Sequence, residues 1–285
     1  MSDRIPAATA DVRASRGPTI GRARGARRVT VPDHFLLLFA AGAGAGMMNA
    51  VAGGGSFLTF PALVFAGLPS VIANASSAVA LVPATLVSVW AYMSGAHRTG
   101  LVDIGGVPIG RVIAVSTAGG LTGAVLLLST PVVLFDGLVP WLLLLATLVF
   151  VFGGRASARL RQHAHLGPGA VLPLQFSLGL YGGYFGGAVG IMTLAAWSLV
   201  TMHDIKALNP TRMLTVAAMN GIAVAWFIAA GQVQWPETLA VLCGGLGGGF
   251  IGGRIGQRLP LGITRAIIMA VTAAMTLLFF KRAYS

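Results

Sequence analysis

Asn49-Ala-Val-Ala-Gly-Gly-Gly-Ser56 interrupts one apolar run, from about residue 35 to 66, and Tyr181-Gly-Gly-Tyr-Phe-Gly-Gly-Ala-Val-Gly190 interrupts another, from about 171 to 200. Both runs exceed the roughly 20 residues that a helix needs to cross a bilayer. Clustered glycines weaken a helix, and non-helical backbone at membrane depth is tolerated only where it is buried in protein or lines a wet cavity. Each stretch therefore reads as a break in a membrane helix, placed where the chain has a use for exposed backbone.

The rest of the sequence supports a membrane setting. Of 285 residues, 56% are hydrophobic and only 9% are charged, and the mean hydropathy is +0.84. A soluble domain carries about 25% charged residues, so this chain has too few to cover a globule in water. Apolar runs fall at about 35–66, 71–94, 104–128, 134–152, 171–200, 211–230, 237–253 and 263–280. The expected fold is all-α, a polytopic transmembrane helical bundle of about eight segments in two repeats with Gly-broken first segments. Cys243 is the only cysteine, so no intrachain disulfide forms.

The two breaks occupy matching places in two halves. Gly53–Thr59 corresponds to Gly187–Thr193, Asn74 to Asn209, and Gly119-Gly-Leu-Thr-Gly123 to Gly248-Gly-Phe-Ile-Gly252. The expected organisation is a disordered basic tail over 1–32, a first transmembrane repeat over 33–152, a polar linker over 153–170 and a second repeat over 171–285. Paired broken helices in a duplicated membrane protein point to a transport site.

The formal net charge of +12 does not indicate a nucleic-acid partner, because seven arginines crowd into residues 1–30 and most others sit between apolar runs. That is the signature of a positive-inside bias. With a cytoplasmic N-terminus and four crossings per half, Arg98 and the Arg155–Arg161 linker fall inside and the first half obeys the rule. Continued through the second half, the same counting puts Lys206, Arg254 and Arg258 outside. Either one segment does not fully cross, or those cations serve the protein rather than its orientation.

All seven carboxylates lie in the tail or at span ends. Metal-dependent phosphate chemistry needs acidic clusters, and many proton-coupled carriers bury an acid at membrane depth; neither pattern is present. The expectation is no enzyme and no cofactor or metal. The apolar runs hold neutral donors instead: Asn49, Ser56, Thr59, Asn74, Ser76 and Ser77 in the first half, and Thr193, Asn209, Thr211, Arg212, Thr215 and Asn220 in the second. Free N–H groups at a half-helix start, with amides and hydroxyls, suit an oxyanion, and Arg212, helped by Arg111, supplies net attraction. Each feature has a plainer use as well: serine and threonine bond back to their own helix, glycine runs pack helices, and an arginine near a span end snorkels to the interface.

Asn49–Leu63, followed by Gly67-Leu-Pro69 and Ala73-Asn-Ala75, resembles the sulfite exporter TauE/SafE family of membrane permeases. Met202–Asn220 and the glycine-rich run ending in Arg254-Ile-Gly-Gln-Arg-Leu-Pro260 are similar to its second half. Asn209-Pro-Thr-Arg-Met213 departs from the family's Asn-x-Leu-Lys-Asn pattern: Arg212 keeps the cation and Met213 loses an amide. The resemblance implies an inner-membrane transporter of a small anion, often a sulfur-containing one such as sulfite or a sulfonate. The expected binding residues are Asn49, Gly53, Gly54, Gly55, Ser56, Thr59, Asn74, Asn209, Thr211 and Arg212, working by alternating access, with the substrate anion and the lipid bilayer as partners. A passive anion channel and a non-transporting assembly subunit are the competing readings.

Overall fold

The computed structural model describes residues 31–51, 54–93, 101–163, 167–201, 205–255 and 261–284. Among these residues every regular element is helical apart from a single β-bridge between Ile104 and Val107. The first half contains α1 (Val31–Val51), α2 (Ser56–Phe65), α3 (Ser70–Met93), α4 (Ile109–Ser129) and α5 (Val132–His163). The second contains α6 (Val171–Tyr184), α7 (Val189–Trp197), α8 (Ile205–Ala229), α9 (Trp235–Ile255) and α10 (Leu261–Tyr284). The first and fifth apolar runs each become two helices, broken where the glycines stand. Four helices carry windows long and apolar enough to cross a membrane: Ser70–Val87, Ile109–Ser129, Val132–Gly153 and Ala207–Ala229.

The breaks reverse the chain rather than bend it. Gly55, at the head of α2, packs against Ala45 and Asn49, and Leu58 reaches back to Gly44. So α2 returns along α1. At ten residues it is about 15 Å long, half of what a crossing needs, and the turn at 66–69 feeds α3 from the face where α1 began. The N–H of Gln234 donates to Ser76 Oγ near the start of α3, and Gly245 lies beside Ala84 further along, so α3 and α9 run the same way. Contacts of Gly42 with Val241, Gly46 with Gly245 and Gly252 with Met47 ascend together and align α1 with α9.

The second half repeats this arrangement with α6 aligned on α4, through Gly179 on Ser116 and Gly183 on Gly120. Each half therefore contributes one hairpin that leaves and returns to the same face, plus three crossings. Three is odd, so the halves are inverted relative to each other. The charge conflict resolves in favour of a segment that does not fully cross. Arg155–Arg161 near the end of α5, Lys206 at the start of α8 and Arg254 at the end of α9 all lie toward the face where α8 starts, and Arg98 and Arg258 fall outside the described residues. The connections on the face where α3 starts (66–69, 130–131, 230–234) carry no lysine or arginine.

Neither half packs as a separate body. The largest helix interfaces are α1 on α9 and α4 on α6, followed by α3 on α9 and α4 on α8, so each hairpin is seated on the other half. α3 meets α8 and α5 meets α10 at the centre, the latter through a hydroxyl contact between Thr147 and Thr276. Glycine makes the hairpin seats: a Cβ on Gly183 would overlap the carbonyl oxygen of Gly120, and one on Gly248 would overlap that of Ala43. The equivalent contacts pair Gly119 with Gly244 and Gly123 with Gly248, about one turn away from the sequence match of Gly119–Gly123 to Gly248–Gly252. Glycine-rich helices look alike when slid by a turn, and the contacts fix the register.

Two predictions follow from this geometry. Gly183→Leu or Gly248→Leu forces two backbones apart and costs about 3 kcal/mol or more, read as a lowered thermal midpoint in detergent, whereas Gly221→Leu, where a Cβ meets open space, leaves the midpoint within a few degrees. In a Cys243→Ser background, cysteines at Pro131 and Gly231 react with an impermeant thiol reagent from one side of the membrane, and cysteines at Leu101 and Gly169 from the other. Labelling of positions 131 and 231 from opposite sides would restore the four-crossing count.

Candidate functional site

The two hairpin tips and the two central helices line a cavity of about 40 Å³, space for roughly three waters, whose walls mix amides and hydroxyls with apolar side chains. From the first half come Asn49 at the end of α1, Ser56 at the start of α2, and Asn74, Ser77, Leu81 and Thr85 on α3. From the second come Gly182, Gly183, Phe185 and Gly186 at the end of α6, Val189 at the start of α7, and Val216, Asn220, Ala223 and Phe227 on α8. Among the described lining residues there is no carboxylate, lysine or arginine.

Local sequence explains why polar atoms face the cavity. Asn49 sits where the helical ladder of α1 ends, and its Nδ2 donates to Thr85 Oγ1 at 2.6 Å. Thr85 in turn donates to Leu81 O within α3. Asn74 is 4% exposed, and its Nδ2 donates to the carbonyl oxygen of Tyr184 at 3.0 Å. That carbonyl belongs to the last turn of α6, where helix carbonyls lack an intrahelical partner. One asparagine thus ties α3 to the opposite hairpin tip. Ala188, just before α7, adopts the left-handed conformation with φ +57°, and Gly186 has φ +75°. These two left-handed residues turn the chain over and aim the first N–H groups of α7 back at the cavity.

Both short return helices begin at this cavity. The N–H groups of Phe57 and Leu58 on α2 and of Ile191 on α7 already donate to the carbonyls of Gly54, Gly55 and Ala188. The earlier ones, of Ser56 on α2 and of Val189 and Gly190 on α7, have no intrahelical acceptor, and a helix N-terminus carries partial positive charge. Two such ends, one from each half, converge here with the amides of Asn49, Asn74 and Asn220 and the hydroxyls of Ser56 and Ser77. The arrangement is a donor-rich, neutral pocket matched to an oxygen-bearing anion.

Of the residues expected from sequence, the structure brings Asn49, Ser56 and Asn74 to the cavity. Gly54 and Gly55 are buried in the α1–α2 turn beside it. Thr59 lies one layer behind, its hydroxyl on that of Ser77. Gly53 falls outside the described residues. The structure does not bring Asn209, Thr211 and Arg212 into the lining. Thr211 Oγ1 accepts from the N–H of Val102 at 3.0 Å, and Arg212, 3% exposed, is packed toward the α8-start face. Arg111 is exposed near the start of α4. Thr85 was missed, and Asn220, named among the donors, was not expected at the site, although they hold the same place on α3 and α8 and both line the cavity; the register that matches Asn74 to Asn209 also matches Thr85 to Asn220.

Comparison with known proteins gives the family. The family model for sulfite exporter TauE/SafE matches residues 38–279. A probable membrane transporter protein of Haemophilus influenzae is 28% identical over 218 residues, covering 75% of this chain and 82% of its own. The probable membrane transporter protein YfcA of Escherichia coli K12 is 27% identical over 201 residues, covering 70% of this chain and 72% of its own. No solved structure matches. The family match takes in both hairpins and all six central and flanking helices, and the chain belongs to the sulfite exporter TauE/SafE family of membrane transporters.

Proposed function

We propose that this membrane transporter carries a small oxyanion, sulfite or a related sulfur-containing anion, by alternating access around the cavity between the hairpin tips. The observation that carries the reading is the convergence of two half-helix N-termini, one from each half, on a neutral cavity lined by amides and hydroxyls. Such a site attracts an anion through partial charges and returns it without breaking a full ion pair. Carboxylates and bound cations have no place in it. The size of the cavity favours sulfite over bulkier sulfonates in the conformation described. The sequence resemblance points to the same substrate class independently.

A carrier fits better than a channel because the polar cavity does not continue to the α8-start face, where Ile104, Trp197 and Leu208 close the packing at 1% exposure or less. The cation-bearing connections favour the α8-start face as cytoplasmic. On this reading the start of α1 lies on the opposite face from that expected from the sequence, and the arginines of residues 1–30 pull the other way.

The test is sulfite flux in proteoliposomes, with sulfate, sulfoacetate and chloride as competitors. Wild-type protein gives saturable flux. Asn220→Leu and Asn49→Leu each remove a charge-assisted donor worth about 1.5–3 kcal/mol, and lower flux at limiting sulfite by roughly tenfold to a hundredfold while the protein stays monodisperse. Folded wild-type protein that moves no anion would sink the reading. Unitary currents across a planar bilayer would replace the carrier with a channel.

A further inference from the structure

The cavity lies off-centre, and the residues it omits identify a gate. α3 and α8 are related position by position: Asn74 with Asn209, Ser76 with Thr211, Ser77 with Arg212, Ala78 with Met213, Leu81 with Val216 and Thr85 with Asn220. The contacts bear out this register. The N–H of Gln234, in the loop after α8, donates to Ser76 Oγ, and the N–H of Val102, in the loop after α3, donates to Thr211 Oγ1. Each inter-helix loop is thus latched to the same hydroxyl position on the other half's central helix. Leu81, Thr85, Val216 and Asn220 line the cavity as matched pairs. Beyond them the match stops: Asn74, Ser77 and Ala78 line it, while Asn209, Arg212 and Met213 do not.

The loops differ in the same sense. Residues 101–108 fold into a tight plug, closed by two hydrogen bonds between Ile104 and Val107 across Gly105 and Gly106, both at positive φ. Ile104 is fully buried, in a cluster with Val171, Trp197 and Leu208. On the opposite face Gly231 and Gln234 of the 230–234 loop are exposed. One face is closed by a loop that buries Ile104 and Val107 while Leu101, Asp103, Gly106 and Pro108 stay exposed, and the other by a loop in which Gln232 and Val233 are only partly buried.

We propose that residues 101–108 are the gate of the α8-start face, and that when the plug withdraws Asn209, Arg212 and Met213 replace Asn74, Ser77 and Ala78 as the lining of the site. The inference rests on the transport reading above and adds a specificity element to it. Arg212 stands where the first half has a serine, so the two conformations offer an anion unequal sites: a neutral one toward the α3-start face and a cationic one toward the α8-start face. A guanidinium forms paired hydrogen bonds to an oxyanion that a serine hydroxyl cannot, and the state with the plug withdrawn holds the anion more tightly.

Two experiments in a Cys243→Ser background test this. A Cβ on Gly105 stands 3.4 Å from Cβ of Val200, close to disulfide geometry, although it also meets Val200 O at 3.0 Å and Gly105 sits at φ +57°. Gly105→Cys with Val200→Cys tethers the plug, and the reduced double variant, compared with the parent, reports any strain of the substitution itself. Oxidation lowers sulfite flux at least tenfold and reduction restores it, while a sulfite-dependent shift in thermal midpoint persists in both states. A fully cross-linked protein that transports like its reduced form overturns the gate. The second experiment does not depend on transport. Met213→Cys, at a position now 4% exposed, reacts with a methanethiosulfonate reagent at least tenfold faster once Ile104→Ser loosens the plug, and Ala78→Cys reacts more slowly in the same background. Unchanged rates at both positions overturn the gate. Absence of sulfite flux in the reduced and parent proteins, with the rates shifted as stated, refutes the proposed substrate and leaves the gate standing.

Discussion

Close contact between helix backbones, where α1 crosses α9 and α6 crosses α4, underlies the rest of this structure. Lipid tails are as apolar as leucine, so a membrane helix gains little by hiding apolar side chains from them. What it gains is dispersion and dipole contact at short range, and that requires the side chain to be missing. Gly42, Gly46, Gly244 and Gly248 on one crossing, and Gly119, Gly123, Gly179 and Gly183 on the other, leave carbonyl oxygens of one helix against bare Cα atoms of the next. Each crossing joins a hairpin of one half to a spanning helix of the other. Without them neither α2 nor α7 would have a support holding its first turn at membrane depth.

That support makes the central cavity affordable to a chain with so few charges. A short helix ending inside a membrane exposes N–H groups that would each cost several kcal/mol against lipid. Here they face a space shared by both halves, bordered by side chains whose own hydrogen bonds are largely committed. Asn74 holds the tip of the opposite hairpin through Tyr184 O, and Asn49 holds α3 through Thr85. These amides are brackets as well as lining, so the position of the donors does not depend on a bound solute.

Much of this was legible in the sequence, for a physical reason. Glycine clusters in an apolar run announce a break, and a neutral asparagine beside a break announces a polar pocket; Asn49, Ser56 and Asn74 were found in this way. The direction of the chain after the break was not legible, because hydropathy reports depth and not heading. A continuing helix and a returning one have the same composition, and only the contact of Gly55 with Ala45 separates them. The expected residues of the second half stand outside the described lining, and symmetry itself accounts for their having been expected there. Asn209, Thr211 and Arg212 do match Asn74, Ser76 and Ser77, but a molecule held in one conformation uses equivalent positions unequally. Thr85 was not singled out, and Asn220, named as a donor, was not placed at the site, because a single polar residue deep in a spanning helix looks like helix glue until its counterpart is placed opposite.

The described lining of the cavity carries no charged side chain, and this bears on energetics at the scale of the whole membrane. An anion of the proposed kind brings its charge into the electric field of the bilayer, and whatever cation the protein itself carries returns with the empty site. Each elementary charge moved across 100 mV is worth about 2.3 kcal/mol, nearly a fiftyfold bias at equilibrium. On the proposed reading, a membrane that is negative inside drives such an anion outward whenever no other ion moves with it.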